Sequence, residues 1–305
     1  MTTEEYSAIR ENFRPRELLW HYTGFKGLEG ILNGTIWASS AFFLNDVQEF
    51  RYAVDIAMEV LQQERAEHPG EFDEAALSII DFFRGVDGKS SFVTSFSKKG
   101  DDLSQWRGYG GGGPSFAIGF DPRQLSAKAG ESKFDLVRVV YGRAALEEAF
   151  RADLHRLREN FQRFVELPEE DAESDPLRYT TLGFEIIAAL MPLAAQCKHE
   201  SFENEDEWRL VRRIAVIDRP PRLPLKFRVS GSLVVPYVEI PLHEPLQENS
   251  ATKQGPRLRV ESPVVAINIG PSPHPDALEH AIGEMAALKG LSLKVGRSTT
   301  PFRNW

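Results

Sequence analysis

The sequence predicts an α+β domain. Three observations predict it: short β-type segments come in runs, the helices between them vary widely in length, and no regular β-α-β-α beat runs through the chain. No single linker divides the 305 residues, so one elaborated domain over 1–305 is expected. Helical insertions fall at about 46–88 and 144–198, and a β insertion at about 217–256. A hydrophobic content of 42% supports a sizeable core.

The elements follow in order. After a polar lead-in over 1–17, Leu18–Thr23 reads as a short strand, with Leu18 and Trp20 toward a core and His21, Tyr22 and Thr23 at its mouth. Thr23 can cap the next helix, where Phe25, Leu28, Ile31 and Leu32 recur at helical spacing. Asn33-Gly34 stops it, because glycine tolerates the left-handed conformation. Thr35–Ser39 is a second strand. Phe50, Val54, Ala57 and Leu61 then mark a helix; Asp46 and Glu49 have capping-box spacing, which leaves Asn45 without a structural explanation. His68-Pro69-Gly70 breaks that helix, and Glu71–Phe83 resumes one.

Ser91–Ser97 alternates as a strand, with Phe92, Thr94 and Phe96 on one face and Val93, Ser95 and Ser97 on the other. Asp101 or Asp102 caps a short helix carrying Trp106, Arg107 and Tyr109. Ser115–Phe120 is a strand ended by Asp121-Pro122, and Leu136–Tyr141 another. Ala144–Val165 is a charged amphipathic helix, and Leu167–Pro176 an acidic surface loop. Tyr179–Cys197 reads as an apolar helix kinked at Pro192. A polar loop over Lys198–Asp206 leads into a strand, Glu207–Val211. Leu225–Val229 and Leu233–Ile240 are strand candidates, and Val264–Ile269 a strand of buried type. A helix starts at His274-Pro275 and runs to Lys289, with proline in the first turn. Leu291–Val295 is the last strand, and Gly296–Trp305 a tail.

Composition narrows the function classes. The formal net charge of -9 argues against a general binder of nucleic acid or membrane surfaces. A lone cysteine, Cys197, forms no disulfide framework and no cysteine-built zinc site within one chain, and reads as a buried structural thiol. No apolar run reaches the ~20 residues of a membrane span, and the N-terminus lacks a signal-peptide pattern. A soluble cytoplasmic protein is expected. The histidines form no His-x-x-x-His pair, and there is no Gly-x-Ser-x-Gly elbow and no Rossmann glycine fingerprint. The glycines at 110–113 precede a strand rather than a helix, so they do not fit a phosphate loop.

Three stretches concentrate polar groups at strand ends: His21-Tyr22-Thr23; Thr94–Ser97 followed by Trp106, Arg107 and Tyr109; and Phe202–Arg209. Glu203, Glu205 and Glu207 share a face by the strand period of two. Such a cluster could bind a ribose or stabilise developing positive charge. The structural alternative is half-buried strand residues with satisfied hydrogen bonds, a solvated acidic loop, and Glu207 paired with Arg209 or a neighbouring arginine. Arg107, Arg209 and Arg303 make either a local anion site or ordinary strand pairings.

His-Tyr-Thr (21–23), Gly-Leu-x-Gly-Ile-Leu (27–32), Ile-Trp-Ala-Ser-Ser (36–40) and Phe-Leu-Asn-Asp-x-x-Glu (43–49) resemble the opening of the DUF2971 family. Phe-Ser (96–97), Ser-Gln-Trp-Arg-x-Tyr (104–109), Ile-Gly-Phe-Asp (118–121), Glu-x-Glu-Trp-Arg (205–209) and Ser-x-x-Pro-Phe-Arg (298–303) keep that family's order, so the likeness spans 18–303. More distantly, the order is similar to the ADP-ribosyltransferase superfamily. That resemblance implies mixed, mostly antiparallel sheets forming an ADP-ribosyltransferase-like split core with helical insertions. It implies His21 as the ribose ligand on the first strand, and Glu207 as the glutamate that steadies the ribose while nicotinamide leaves, with Glu205 before it. Ser95 and Ser97 would belong to the second element, with Phe96, Trp106 or Tyr109 stacking on nicotinamide; Tyr22, Thr23, Asn45 and Arg209 complete the implied binding set. The chain departs from the superfamily in having no clean Ser-Thr-Ser.

The implied function is an NAD-binding, ADP-ribosyltransferase-like enzyme that cleaves the nicotinamide–ribose bond and passes ADP-ribose to an acceptor, in phage defence or a toxin system. NAD is the implied substrate, and no metal is implied. Protein, DNA, RNA and water remain open as acceptors, as do a homodimer and a partner protein. The alternative is a non-catalytic nucleotide-sensing or protein-interaction domain. Under the enzymatic reading, Glu207→Gln is expected to keep the fold and abolish turnover.

Overall fold

The structure, a computed structural model, describes residues 17–43, 47–67, 69–70, 72–73, 76–77, 91–109, 113–165, 192–212, 224–245 and 259–301. The element order is β1 (Leu19–Gly24), α1 (Phe25–Leu32), β2 (Thr35–Ser40), α2 (Val47–Glu67), β3 (Phe92–Ser97), α3 (Leu103–Tyr109), β4 (Ser115–Phe120), α4 (Pro122–Glu131), β5 (Phe134–Arg138), β6 (Val140–Tyr141), α5 (Arg143–Val165), β7 (Cys197–Lys198), β8 (Glu207–Arg212), β9 (Lys226–Ser230), β10 (Leu233–Pro241), β11 (Val264–Ile269), α6 (Pro275–Leu288) and β12 (Lys294–Arg297). Short 3-10 turns occupy Ala41–Phe43 and Glu200–Glu205. The chain is a mixed α+β protein, and among the described residues its strand pairs are antiparallel except β11–β12 and β6–β7.

Among the described residues ten strands form the main sheet, in the order β12-β11-β4-β1-β3-β2-β10-β9, with β8 on β3 and β5 on β8. β1 lies centrally, paired along its whole length with β4 from Leu19↔Phe120 to Gly24↔Ser115. The sheet then parts. β1 meets β3 only at Trp20↔Ser97, and β2 meets β3 only at Ser39↔Val93 and Ser40↔Phe92. β8 pairs with β3 from Val93 to Ser97. A strand has two hydrogen-bonding edges, so β1 and β2 share the edge that β8 leaves and diverge from opposite ends of β3.

One face of the sheet is covered by α1, α4 and α6. Their apolar stripes, Leu28, Ile31 and Leu32, then Leu125 and Ala129, then Ile282 and Ala286, bury Leu19, Phe96, Ile118, Phe120, Leu210 and Ile267. A second core joins α2 to α5 through Ala53, Ile56, Val60 and Leu61 against Leu146, Phe150, Leu154 and Leu157. Arg158, on α5, ties this layer to the buried Asp73 at 2.6 Å. Among the described residues no helix is long and apolar enough to cross a membrane.

Several expectations are corrected. β1 continues through Gly24, so His21, Tyr22 and Thr23 are strand residues rather than the mouth of one. Leu19, not Leu18, is the fully buried leucine. Gly24 is the N-cap of α1 and no side chain caps it; the Thr23 hydroxyl lies instead over Gly27, where an added Cβ would meet its Oγ1 at 2.0 Å. Helix α4 was not expected: only Leu125 and Ala129 among its side chains, with Pro122, are buried, too sparse a stripe to announce it. The expected strand over 136–141 is two strands, because at Val139 the chain turns from β8 toward Gln196. Cys197 sits in β7 rather than at a helix end. The expected features at Asn45, Asp46, 167–176 and Arg303 lie outside the described residues.

Gly34 behaves as its sequence context predicts. Its φ is 98°, and a Cβ there would meet the His243 carbonyl oxygen at 2.3 Å. Gly34→Ala is therefore expected to destabilise the protein by about 2 kcal/mol or more, from the left-handed backbone and the clash together. A urea midpoint unchanged from the parent would contradict this.

Candidate functional site

The parting of β1 from β2 leaves Ser95, midway along β3, without a strand partner on that edge among the described residues. Its carbonyl oxygen is taken by a side chain: His21 Nδ1 lies 2.9 Å away. A carbonyl only accepts, so Nδ1 carries the hydrogen and Nε2 holds the lone pair when the ring is neutral. Burial pushes the His21 pKa below its ordinary value, and the nearby Arg228 guanidinium adds to this, against the Ser95 bond. Burial thus favours the neutral imidazole over the imidazolium. On the β2 side, Thr94 Oγ1 donates to the Trp37 carbonyl at 2.8 Å. Side chains thus replace ladder bonds where the strands diverge.

The other edge of β3 carries Glu207 and Arg209, opposite Ser97 and Ser95. Glu207 is 4% exposed. Arg209 Nε donates to its Oε1 at 2.7 Å, and Lys198 Nζ to its Oε2 at 2.9 Å. Arg209 also donates to the Ala195 carbonyl, and Lys198 to Glu205. Burial alone would raise the Glu207 pKa; the Arg209 and Lys198 charges, with a hydrogen bond from Ser95, overcome this and hold it at about 2. The Glu207 amide donates to the Tyr141 hydroxyl at 2.8 Å, and burial pushes that phenol up to about 12. Of the two readings of Glu207, the ion pair with Arg209 is present.

The remaining expected site residues divide. Tyr22 and Trp106 pack edge to face at 4.7 Å, both nearly sealed, on the sheet face opposite the main helices. The Tyr22 hydroxyl donates to the Lys99 carbonyl and accepts from the Asp102 amide. Phe96 is buried against the His21 and Phe120 rings. Ser97 Oγ donates to the Glu205 carbonyl and receives the Lys99 amide. Tyr109 is exposed at the end of α3. Structure therefore brings His21, Ser95, Glu207 and Arg209 around β3 and occupies Tyr22, Phe96, Ser97 and Trp106 in packing and loop bonds.

Three residues, Lys198 at Glu207 among them, hold contacts that the sequence did not announce. Asp101 binds the Trp106 indole at 2.8 Å and the Ser298, Thr299 and Thr300 hydroxyls. Arg228 on β9 reaches Ser39 on β2, donating from its Nη2 at 3.2 Å. For Arg228 the available signal was its place between Phe227 and Val229, where period-two alternation turns it to the opposite face. Among the described residues no group of three or more His, Cys, Asp or Glu is arranged to hold a metal.

Fold and site together define a mixed α+β protein with one parted, mostly antiparallel sheet. Over residues 105–210, from α3 to β8, the chain matches the family model described as "Protein of unknown function (DUF2971)". That segment holds Ile-Gly-Phe-Asp and Glu-Asp-Glu-Trp-Arg, two of the motifs that carried the resemblance. Comparison with curated proteins and with solved structures gave no match.

Proposed function

We propose that this chain is a nucleotide-sensing protein that takes NAD at the parting of β1 and β2. The observation that carries this is the edge of β3 at Ser95, which among the described residues is held by a half-buried imidazole rather than by a strand. Neutral histidine at such an edge offers Nε2 as an acceptor for a ribose hydroxyl. Binding without turnover is favoured by Glu207. Two cations already compensate its carboxylate, so little field remains to steady an oxocarbenium sugar.

ADP-ribosyl transfer is the second reading, favoured by one specific observation. His21 and Glu207, the pair that resemblance names, approach Ser95 from opposite edges of β3: one bonds its carbonyl, the other its side chain. The acceptor would then be a protein, a nucleic acid or water.

Thermal unfolding with and without NAD, alongside chromatographic detection of free nicotinamide, tests both. NAD at 100 times its dissociation constant is expected to add about 2.7 kcal/mol to stability, with no nicotinamide released. His21→Ala should weaken NAD about tenfold, the worth of one hydrogen bond. Nicotinamide release by the parent at a rate proportional to protein would establish the transferase instead. No shift in melting temperature at millimolar NAD would sink both readings.

A further inference from the structure

We propose that Arg228 and Ser39 form a phosphate-anchoring subsite beside His21, taking the pyrophosphate of a nucleotide; this rests on the nucleotide-binding reading above. Arg228 stands at the middle of β9, opposite Val235 of β10. Its neighbours Phe227 and Val229 point to solvent, 64% and 77% exposed, while Arg228 turns to the other face and is partly buried. β2, which carries Ser39, is also the strand that leaves β3, so the guanidinium lies on the β2 side of the parting.

The guanidinium is under-satisfied. One nitrogen donates to Ser39 Oγ, and Nε is buried with no hydrogen-bond partner. No carboxylate among the described residues pairs with Arg228; by contrast Lys226, two residues before it, is paired with Glu239 at 2.7 Å. Burial accordingly lowers the Arg228 pKa, and Arg228 in turn disfavours charge on His21. A desolvated cation with an orphan N–H costs stability unless an anion completes it. Such local losses persist where a ligand compensates them.

The chemistry of the missing partner follows from the donors. A guanidinium presents its N–H groups in a planar fork that matches two oxygens of a phosphate. Ser39 accepts from Arg228, so its own hydroxyl hydrogen is available to the same anion. A carboxylate would satisfy one edge of the fork. A pyrophosphate has oxygens enough for the guanidinium fork and the hydroxyl together, and the guanidinium turning toward it would free the buried Nε to donate as well; its ribose can extend toward His21.

Isothermal titration of the full chain with inorganic pyrophosphate, ADP-ribose, NAD and nicotinamide riboside tests this, using the parent, Arg228→Met, Arg228→Lys and Ser39→Ala. Arg228→Met is expected to weaken pyrophosphate and ADP-ribose about 10- to 100-fold, the worth of hydrogen bonds to a charged group. Nicotinamide riboside, which has no phosphate, should be unaffected. Arg228→Lys keeps the charge without the fork and should fall between; Ser39→Ala should lose a smaller factor. With no ligand, Arg228→Met should melt higher than the parent, because it removes an uncompensated charge; a purely structural arginine would give the opposite sign.

Pyrophosphate affinity lost in Arg228→Met while NAD fails to bind the parent would support the subsite and overturn the NAD reading. NAD binding parent and Arg228→Met equally would keep that reading and overturn the subsite. Arg228→Met melting lower than the parent, or neither pyrophosphate nor ADP-ribose binding the parent, would also overturn the subsite.

Discussion

Glu207→Gln is expected to lower the unfolding free energy by about 3–5 kcal/mol, as for one partner removed from a buried ion pair. The variant keeps the shape of the side chain and removes the charge that Arg209 and Lys198 are buried against. Lys198 and Arg209 are 6% and 4% exposed, so neither can recover its hydration in place. The expectation that this substitution leaves the fold intact is therefore revised. An inactive Glu207→Gln protein shows catalysis by Glu207 only if the variant is still folded at the assay temperature.

The same pair gives a pH dependence. The folded pKa, about 2, lies below the ordinary 4.5, so the unfolded chain takes up the proton first as pH falls. Stability from this group is fully present above about 4.5 and is lost as pH drops toward 2. The lost amount is about 3 kcal/mol by the usual conversion of a pKa difference. Urea midpoints of parent and variant should converge across that window. A gap that stays constant from pH 5 to pH 2.5 would show that the carboxylate is not held by these cations. In a double-mutant cycle, Glu207→Gln with Arg209→Gln should cost less than the two single losses added together.

Asp101→Ala is expected to cost about 2–4 kcal/mol, since several donors to one charged acceptor lose it at once. The carboxylate ties three parts of the chain: the turn after β3, the buried Trp106 indole of α3, and residues 298–300 beyond β12. Burial alone would raise its pKa, but bonds from Ser298, Trp106, Thr299 and Thr300 hold it at about 2. The sign is that of Glu207: the contribution is present above the ordinary range and is lost in acid. Hydrogen exchange should quicken at the Thr299 amide and along β12, where β11 pairs its parallel edge. Protection unchanged at Thr299 would mean the amide is held by something other than Asp101. Asp101→Asn, which keeps shape and some accepting capacity, should lose less than alanine.

Much of this architecture was legible because it is local. Alternation announced β3, a run of small and apolar residues announced β4 and β11, and Pro275 opened α6 as expected. Gly34 ended α1 with the positive φ its type predicts. Helix α4 was missed for an equally local reason, since its buried stripe is only a few residues wide. The aromatic residues near the expected site were misleading. Tyr22 and Trp106 look like ligand contacts because both carry polar tips, yet those tips are spent on Lys99, Asp102 and Asp101.

The parts of the site differ in the same way. Glu207 beside Arg209 was readable as an ion pair, because i and i+2 share a strand face. Lys198 was not: it sat in what reads as a polar loop, and only the β6–β7 pairing carries it inward to Glu207. His21 stood out in sequence, but its partner, the Ser95 carbonyl, has no sequence signature at all. Arg228 and Ser39 lie 189 positions apart and meet only because β10 bridges β9 to β2.

The sequence alone determined the alternation of strands and helices, the acidic balance and the likeness carried by short motifs, since each depends on neighbours a few residues apart. Tertiary structure decided where the sheet parts, which charges are cancelled and that Arg228 has no carboxylate partner among the described residues. Those outcomes depend on register between distant strands and on desolvation, and neither is encoded in local periodicity.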